Sequence, residues 1–235
     1  QSAGRTRLYH RMLAEYYEKK QGGSYAALPV IAHHWMRALC PVKAYGYQIR
    51  YLQEFYTILN ENFPIVHSEV TDLGGQFGAL AEAEKMLELA KDVIRLEDSS
   101  PEVSRMKMQM LYILGRHDIA AGHYDSGIAA IEQCMMAARR CADDTMLFSC
   151  YLQHIFHSIQ TTNLPKAERY VVLGIEQSKD CDAEMHAAFR RLKGWCLIRR
   201  GAFEKAEAEL RAARAAFEAL EAALPEATPK YRASI

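Results

Sequence analysis

The chain has 235 residues, half of them apolar and a quarter charged, the balance of an ordinary folded protein. Basic and acidic residues stand at 29 each, which removes the positive field that a dedicated nucleic-acid binder needs. No stretch approaches the roughly 18 uninterrupted apolar residues of a membrane span, and the opening QSAGRTRLYH has no apolar signal-peptide core.

Apolar residues recur at three and four along the whole chain, and Ala, Leu, Glu, Lys, Arg and Met dominate, so every element is expected to be helical. The spacing predicts helices over 3–20, 25–39, 42–62, 64–73, 77–97, 101–120, 123–140, 143–161, 165–179, 182–200 and 203–223. Breakers separate them: QGGS at 21–24, Pro41, Pro64, Gly74 with Gly75, SSP at 99–101, NLP at 163–165 and Pro225. Ser99 and Ser100 before Pro101 make a helix start, with Glu102 complementing the dipole, and Asp182 is a second expected cap. Connections this short force consecutive helices to run antiparallel. LPEATPKYRASI loses the apolar stripe, so 224–235 is expected to leave the array as a flexible tail.

A helical-hairpin unit recurs along the second half. It reads LYILGRHDIAAGHYDSGIAAIEQCMMAAR at 111–139 and RLKGWCLIRRGAFEKAEAELRAARAAF at 191–217. Each copy has a glycine in its first helix (Gly115, Gly194) and another at the turn (Gly122, Gly201). An aromatic, an acid and a small residue follow: Tyr124, Asp125 and Gly127 in one, Phe203, Glu204 and Ala206 in the other. A weaker copy at 148–177 places Ala167 at the same point, giving intervals of 40 and 39 residues. A further unit near 77–96 fits less well. A hairpin of this kind cannot bury its apolar face alone, so neighbours are expected to stack into an open superhelix of about five to six antiparallel pairs.

These features resemble the tetratricopeptide family, through Gly115 and Gly194, the turns GHYD and GAFE, and the small residue two positions after the acid. The resemblance covers 101–223. It departs from the family in lacking the first-helix Trp and closing Pro, and in its longer period. It implies an all-α, right-handed tetratricopeptide-like solenoid, with an N-terminal helical segment at 1–62 and the repeat array over 63–223. The first 60 residues, LYHRMLAEYYEKK with LPVIAHHWMRAL and KAYGYQIRYLQEF, resemble the segment preceding the repeats in bacterial STAND-type signal-transduction ATPases and some multidomain adenylate cyclases. The matching positions are Leu8, His10, Arg11, Ala14, Ala32, His33, His34, Ala38 and Ala44. There is no GxxxxGK[ST] loop and no helix-turn-helix reader here. The missing initiator Met is consistent with a fragment or a processed form.

Candidate chemistry is sparse. Six cysteines (Cys40, Cys134, Cys141, Cys150, Cys181, Cys196) show no CxxC pair and are expected as reduced thiols of a cytoplasmic protein. His33 and His34 point about 100° apart on a helix and cannot both face one ion. Cys150, His154 and His157 share a helical face, but tetrahedral zinc needs a further ligand, with only Cys181 or His186 to nominate. A packed helix interface is the simpler expectation, and no metal or cofactor is assigned. No GxSxG, HExxH or recognisable catalytic Cys context occurs, so a non-enzyme is expected.

In tetratricopeptide arrays the concave wall is lined by the first helix of each pair. Carried over by register, the resemblance nominates Gln109, Tyr112, Arg116 and Ile119, then Leu152, Phe156 and Ile159, then Arg191, Trp195 and Arg199. Arginine and aromatic side chains are the types that anchor interfaces, although Phe156 and Trp195 serve equally well as interior packing. The resulting expectation is a sensor or interaction module of a bacterial regulator that binds a protein or peptide partner. Alternatives are a receptor for a small-molecule or peptide inducer and a purely structural scaffold, and a homodimer is compatible with either.

Overall fold

The computed structural model describes residues 2–21, 23–59 and 76–223, with side chains described for 4–21, 23–56 and 83–223. Among these residues the chain is all-α, with ten α-helices and no strand. They are α1 (Ser2–Gln21), α2 (Leu28–Arg37), α3 (Pro41–Leu59), α4 (Gln76–Ala90), α5 (Pro101–Ala120), α6 (Tyr124–Cys141), α7 (Asp144–Gln160), α8 (Leu164–Ser178), α9 (Ala183–Arg199) and α10 (Phe203–Ala223). The expected helix 64–73 and the tail 224–235 lie outside the described residues. None of the described helices is long and apolar enough to cross a membrane.

Two expected helices divide. The 25–39 segment is a 3-10 turn at Tyr25–Ala27 followed by α2. Pro29 lies in the first turn of α2, where its missing N–H is harmless, and it disfavours the helical region for the residue before it. The 77–97 segment is α4 continued by a 3-10 stretch at Lys91–Arg95, a common tightening at a helix end.

Five interhelical turns share one hydrogen-bond scheme. Each places a residue in the left-handed region: Leu39 (φ 59°), Gly122 (φ 83°), Ala142 (φ 51°), Thr162 (φ 56°) and Gly201 (φ 74°). The amide of that residue donates three positions back and the next amide donates five back, as in Gly122 to Ile119 (3.1 Å) and His123 to Asp118 (2.8 Å). This is the Schellman ending, which satisfies the last carbonyls of the helix. At two turns the next residue also caps the following helix. Asp143 accepts from the amide of Met146 at 2.9 Å, and Asn163 accepts from that of Lys166 at 3.2 Å. Ser100 and Asp182 cap α5 and α9 as their sequence context predicts. A one-residue reversal followed at once by a cap leaves almost no loop.

The chain divides into two compact units, residues 1–60 with 68–130 and residues 61–67 with 131–235, the boundary falling inside α6. This division by packing is separate from the division by repeats into 1–62, 63–223 and 224–235. In the first unit α3 packs against α2, α4 and α5. Its core gathers Ile49, Leu52 and Phe55 with Leu87, Val93 and Ile113. A second cluster joins Ala14 of α1 to Ile31, Trp35 and Ala44. The Trp35 indole donates to Glu18 at 2.6 Å, and the Lys43 ammonium sits 4.0 Å from the Trp35 ring centre.

In the second unit α7 packs against α8, α8 against α9 and α9 against α10. Phe148 and Phe189 meet edge to face at 5.9 Å. Gly174 of α8 leaves room for the Phe189 ring of α9: a Cβ there would lie 2.6 Å from that ring.

Candidate functional site

The hairpin glycines mark where paired helices approach. A Cβ on Gly127 would lie 2.9 Å from the Gly115 carbonyl oxygen, and one on Gly194 would lie 3.5 Å from that of Ala206. The first and last copies thus use matched positions, Gly115 with Gly127 and Gly194 with Ala206. In the middle copy Ala167 is fully buried, and Ile155 stands where the helix glycine would be.

Residues of α9 and α10 line a groove of about 530 Å³. Its floor is apolar, formed by Ile198 of α9 with Phe203, Ala206, Leu210 and Ala213 of α10. Arg191, Arg211 and Arg214 stand around it against one acid, Glu207. The groove is open to solvent: Phe203 is 67 % exposed and Ile198 43 %. The arginine partners on α10 are local and exposed, Arg211 with Glu207 at 2.5 Å and Arg214 with Glu218 at 2.8 Å. Pairs of this kind contribute only about 0.3–0.5 kcal/mol and are screened by salt. Arg191 is more enclosed, 6.0 Å from the Phe217 ring centre, and burial lowers its pKa from the ordinary value. The stronger charge pairing lies elsewhere on the hairpin, where the Glu209 carboxylate accepts from Arg190 at 2.8 Å and Lys193 at 2.7 Å.

The residues nominated from the repeat register fall in different units. Gln109, Tyr112 and Arg116 belong to the first; Leu152, Phe156, Arg191, Trp195 and Arg199 belong to the second. Two of them correct the expectation of a solvent-facing wall. Arg116 is only 5 % exposed and donates to the Tyr56 carbonyl oxygen at 2.8 Å, holding the end of α3 against α5. Leu152 is 8 % exposed and offers little to solvent. Gln109, Tyr112 and Phe156 are half-buried, Tyr112 lying 5.7 Å from the Arg116 guanidinium. Arg199 is exposed and sits 5.9 Å from the ring centre of half-buried Trp195. Of the ten nominated residues, Ile119 and Ile159 included, Arg191 alone lines the groove.

Comparison with known protein families, characterised proteins and solved structures finds no match. The site is therefore read from its own chemistry.

The cysteine and histidine candidates separate. All six cysteines are free thiols. Cys134 of α6 and Cys150 of α7 are fully buried and hydrogen-bonded to each other, a pairing that sequence spacing does not indicate. His154, one turn beyond Cys150, lies flat on Tyr170 with ring centres 4.2 Å apart. Neither of its ring nitrogens has a hydrogen-bond partner, and burial, with nearby Lys166, His157 and Arg169, pushes its pKa down to about 4. Cys181 is exposed, and His186 reaches the Ile175 carbonyl oxygen at 3.2 Å. Among the described residues no three His, Cys, Asp or Glu side chains converge as metal ligands.

On α2, His33 is exposed, while His34 turns toward α1, stacking on Tyr17 and meeting His10 at 2.9 Å between Nδ1 atoms. Burial, with His10 and His33 beside it, lowers the His34 pKa.

Proposed function

We propose that this chain is a non-catalytic recognition module, a right-handed superhelix of tetratricopeptide-like hairpins that binds a protein or peptide partner. Its proposed setting is the sensor arm of a bacterial STAND-type regulator, where occupancy relieves or imposes inhibition. The single observation that supports it most is the open α9–α10 groove, an apolar floor flanked by arginines. Aromatic and arginine side chains around an apolar strip are what a helical interface uses to hold a partner. Matched close approach at Gly115 and Gly127, and at Gly194 and Ala206, supports the repeat reading.

One observation favours a second reading. A volume of about 530 Å³ also lies within the range of small-ligand pockets, so a small-molecule or peptide inducer is the rival occupant.

The test of the regulator setting is the polypeptide encoded around this chain. A nucleotide-binding or cyclase domain fused to it, with ligand response lost on deleting 101–223, is the expected outcome. Full, unaltered regulation after that deletion would remove the proposal.

A further inference from the structure

We infer that α1 is an acid-released strap, held on α2 at neutral pH by a histidine pair that a second proton breaks. The helix has few other anchors. It packs chiefly against α2, and Ala14 is the one fully buried side chain among those described for it. That methyl joins Ile31 and Trp35 of α2 and Ala44 of α3. Polar contacts supply the rest. The Trp35 indole donates to Glu18 at 2.6 Å, and His10 meets His34 with their Nδ1 atoms 2.9 Å apart. Tyr17 lies parallel to the His34 ring, 5.8 Å between centres.

Two imidazole nitrogens at 2.9 Å share one proton: one ring donates through its N–H and the other accepts through a lone pair. The accepting ring must be neutral. Burial, with His10 and His33 beside it, lowers the pKa of His34, which makes His34 the acceptor. A first proton can reside on His10, the donor, without loss of the bond. A second, on His34, sets two cationic N–H groups face to face. The surroundings do not relieve that. Among the described residues the titratable groups facing His34 are His10 and Tyr17 of α1 and His33 of its own helix, and none is a carboxylate. On α3, Tyr47 donates to Glu18 and not to the pair, and Glu15 is engaged by Arg11 at 2.9 Å. With Arg5, Arg7, Arg11, Lys19 and Lys20 on α1 and Arg37 on α2, added positive charge meets more of the same sign. Folding lowers the His34 pKa, so the contact is fully stabilised above about pH 6.5 and weakens as pH falls below it. Lifting α1 bares Ile31 and Trp35, so acid turns a covered apolar face into an open one.

The test follows the full chain by hydrogen exchange at about pH 7.5 and about pH 5, with exchange times scaled for the intrinsic rate. Protection of α1 is expected to fall about fivefold at the lower pH, the size of one lost hydrogen bond. Trp35 emission, read in a Trp195→Phe background, should move to longer wavelength over the same interval as the indole parts from Glu18. His34→Gln and, separately, His10→Gln should each shrink the pH-dependent loss to under about twofold, because neither pair can take a second proton. His33→Gln should keep it. If His34→Gln leaves α1 unprotected at both pH values, His34→Phe, which keeps a ring against Tyr17, carries the same expectation.

Equal protection of α1 at the two pH values in the native chain overturns the proposal. A response that persists at full size when His10 or His34 is replaced also overturns it, assigning the acid sensitivity to other groups. Loss of α1 protection with Trp35 emission unmoved overturns release, leaving a helix that frays in place. A response abolished equally by His33→Gln overturns the pair as its seat.

Discussion

Thr162 shows how one residue carries a local conflict. It occupies the left-handed turn position where the flanking copies use Gly122 and Gly201, and its φ is 56°. A β-branched residue there places its Cβ against the backbone, a penalty of about 1–2 kcal/mol. Thr162→Gly is therefore expected to stabilise the chain by about 1 kcal/mol, the gain reduced by glycine's extra freedom in the unfolded chain. The check is a urea titration; a midpoint that stays put or falls would show that the turn carries no strain.

His154 makes the stability of the second unit depend on pH. Its ring is fully buried on Tyr170, and desolvation brings its pKa down to about 4 from an ordinary value of 6.5. The unfolded chain therefore binds this proton more readily than the folded one between those values. The stabilisation is complete above about pH 6.5 and declines as pH falls toward 4, by an amount on the order of 3 kcal/mol. His154→Phe keeps the stacked ring and cannot titrate, so its urea midpoint should fall less between pH 7 and pH 4.5. Equal losses in both proteins would assign the acid sensitivity to other groups.

At the scale of elements, packing rests on small residues where helices converge. Gly174 of α8 leaves room for the Phe189 ring of α9, which Phe148 of α7 supports from another side. Gly174→Ala raises intrinsic helix propensity by about 1 kcal/mol, yet its methyl would sit 2.6 Å from a buried ring. Overpacking of this kind costs about 1–3 kcal/mol, so a net loss is expected. Adding Phe189→Leu should return part of it, measured as a positive coupling in a double-mutant cycle. Strict additivity of the two changes would mean that the glycine and the ring do not meet.

The helix boundaries were largely legible in the chain. Ser100, Asp182 and the two turn glycines stop or start helices through bonds to residues at most five positions away. Such signals survive without knowledge of the neighbours. The groove was only partly legible. Arg191 follows from repeat register, but nothing in the sequence sets Arg211 and Arg214 apart from arginines with the same i,i+4 acid partners elsewhere, Arg11 with Glu15 and Arg50 with Glu54.

Across the whole molecule, burial is uneven between helices. Ala14 is the single buried side chain among those described for α1, whereas α7 buries nine, from Leu147 to Ser158. Local opening follows buried contact, so amides of α1 should exchange with solvent at lower free energy than those of α7. Hydrogen exchange read by mass spectrometry checks this, and equal protection of the two helices would contradict it.

The order of helices, their caps and the recurring turn belong to the sequence alone, because each arises from bonds and backbone preferences within one or two turns of chain. The pairing of Cys134 with Cys150, the burial of Arg116 beneath Tyr56, the stacking of His154 on Tyr170 and the arginine rim of the α9–α10 groove were decided by tertiary structure. Those contacts join separate helices, and which faces meet depends on how closely the helices pack, a property set jointly by the side chains of both partners.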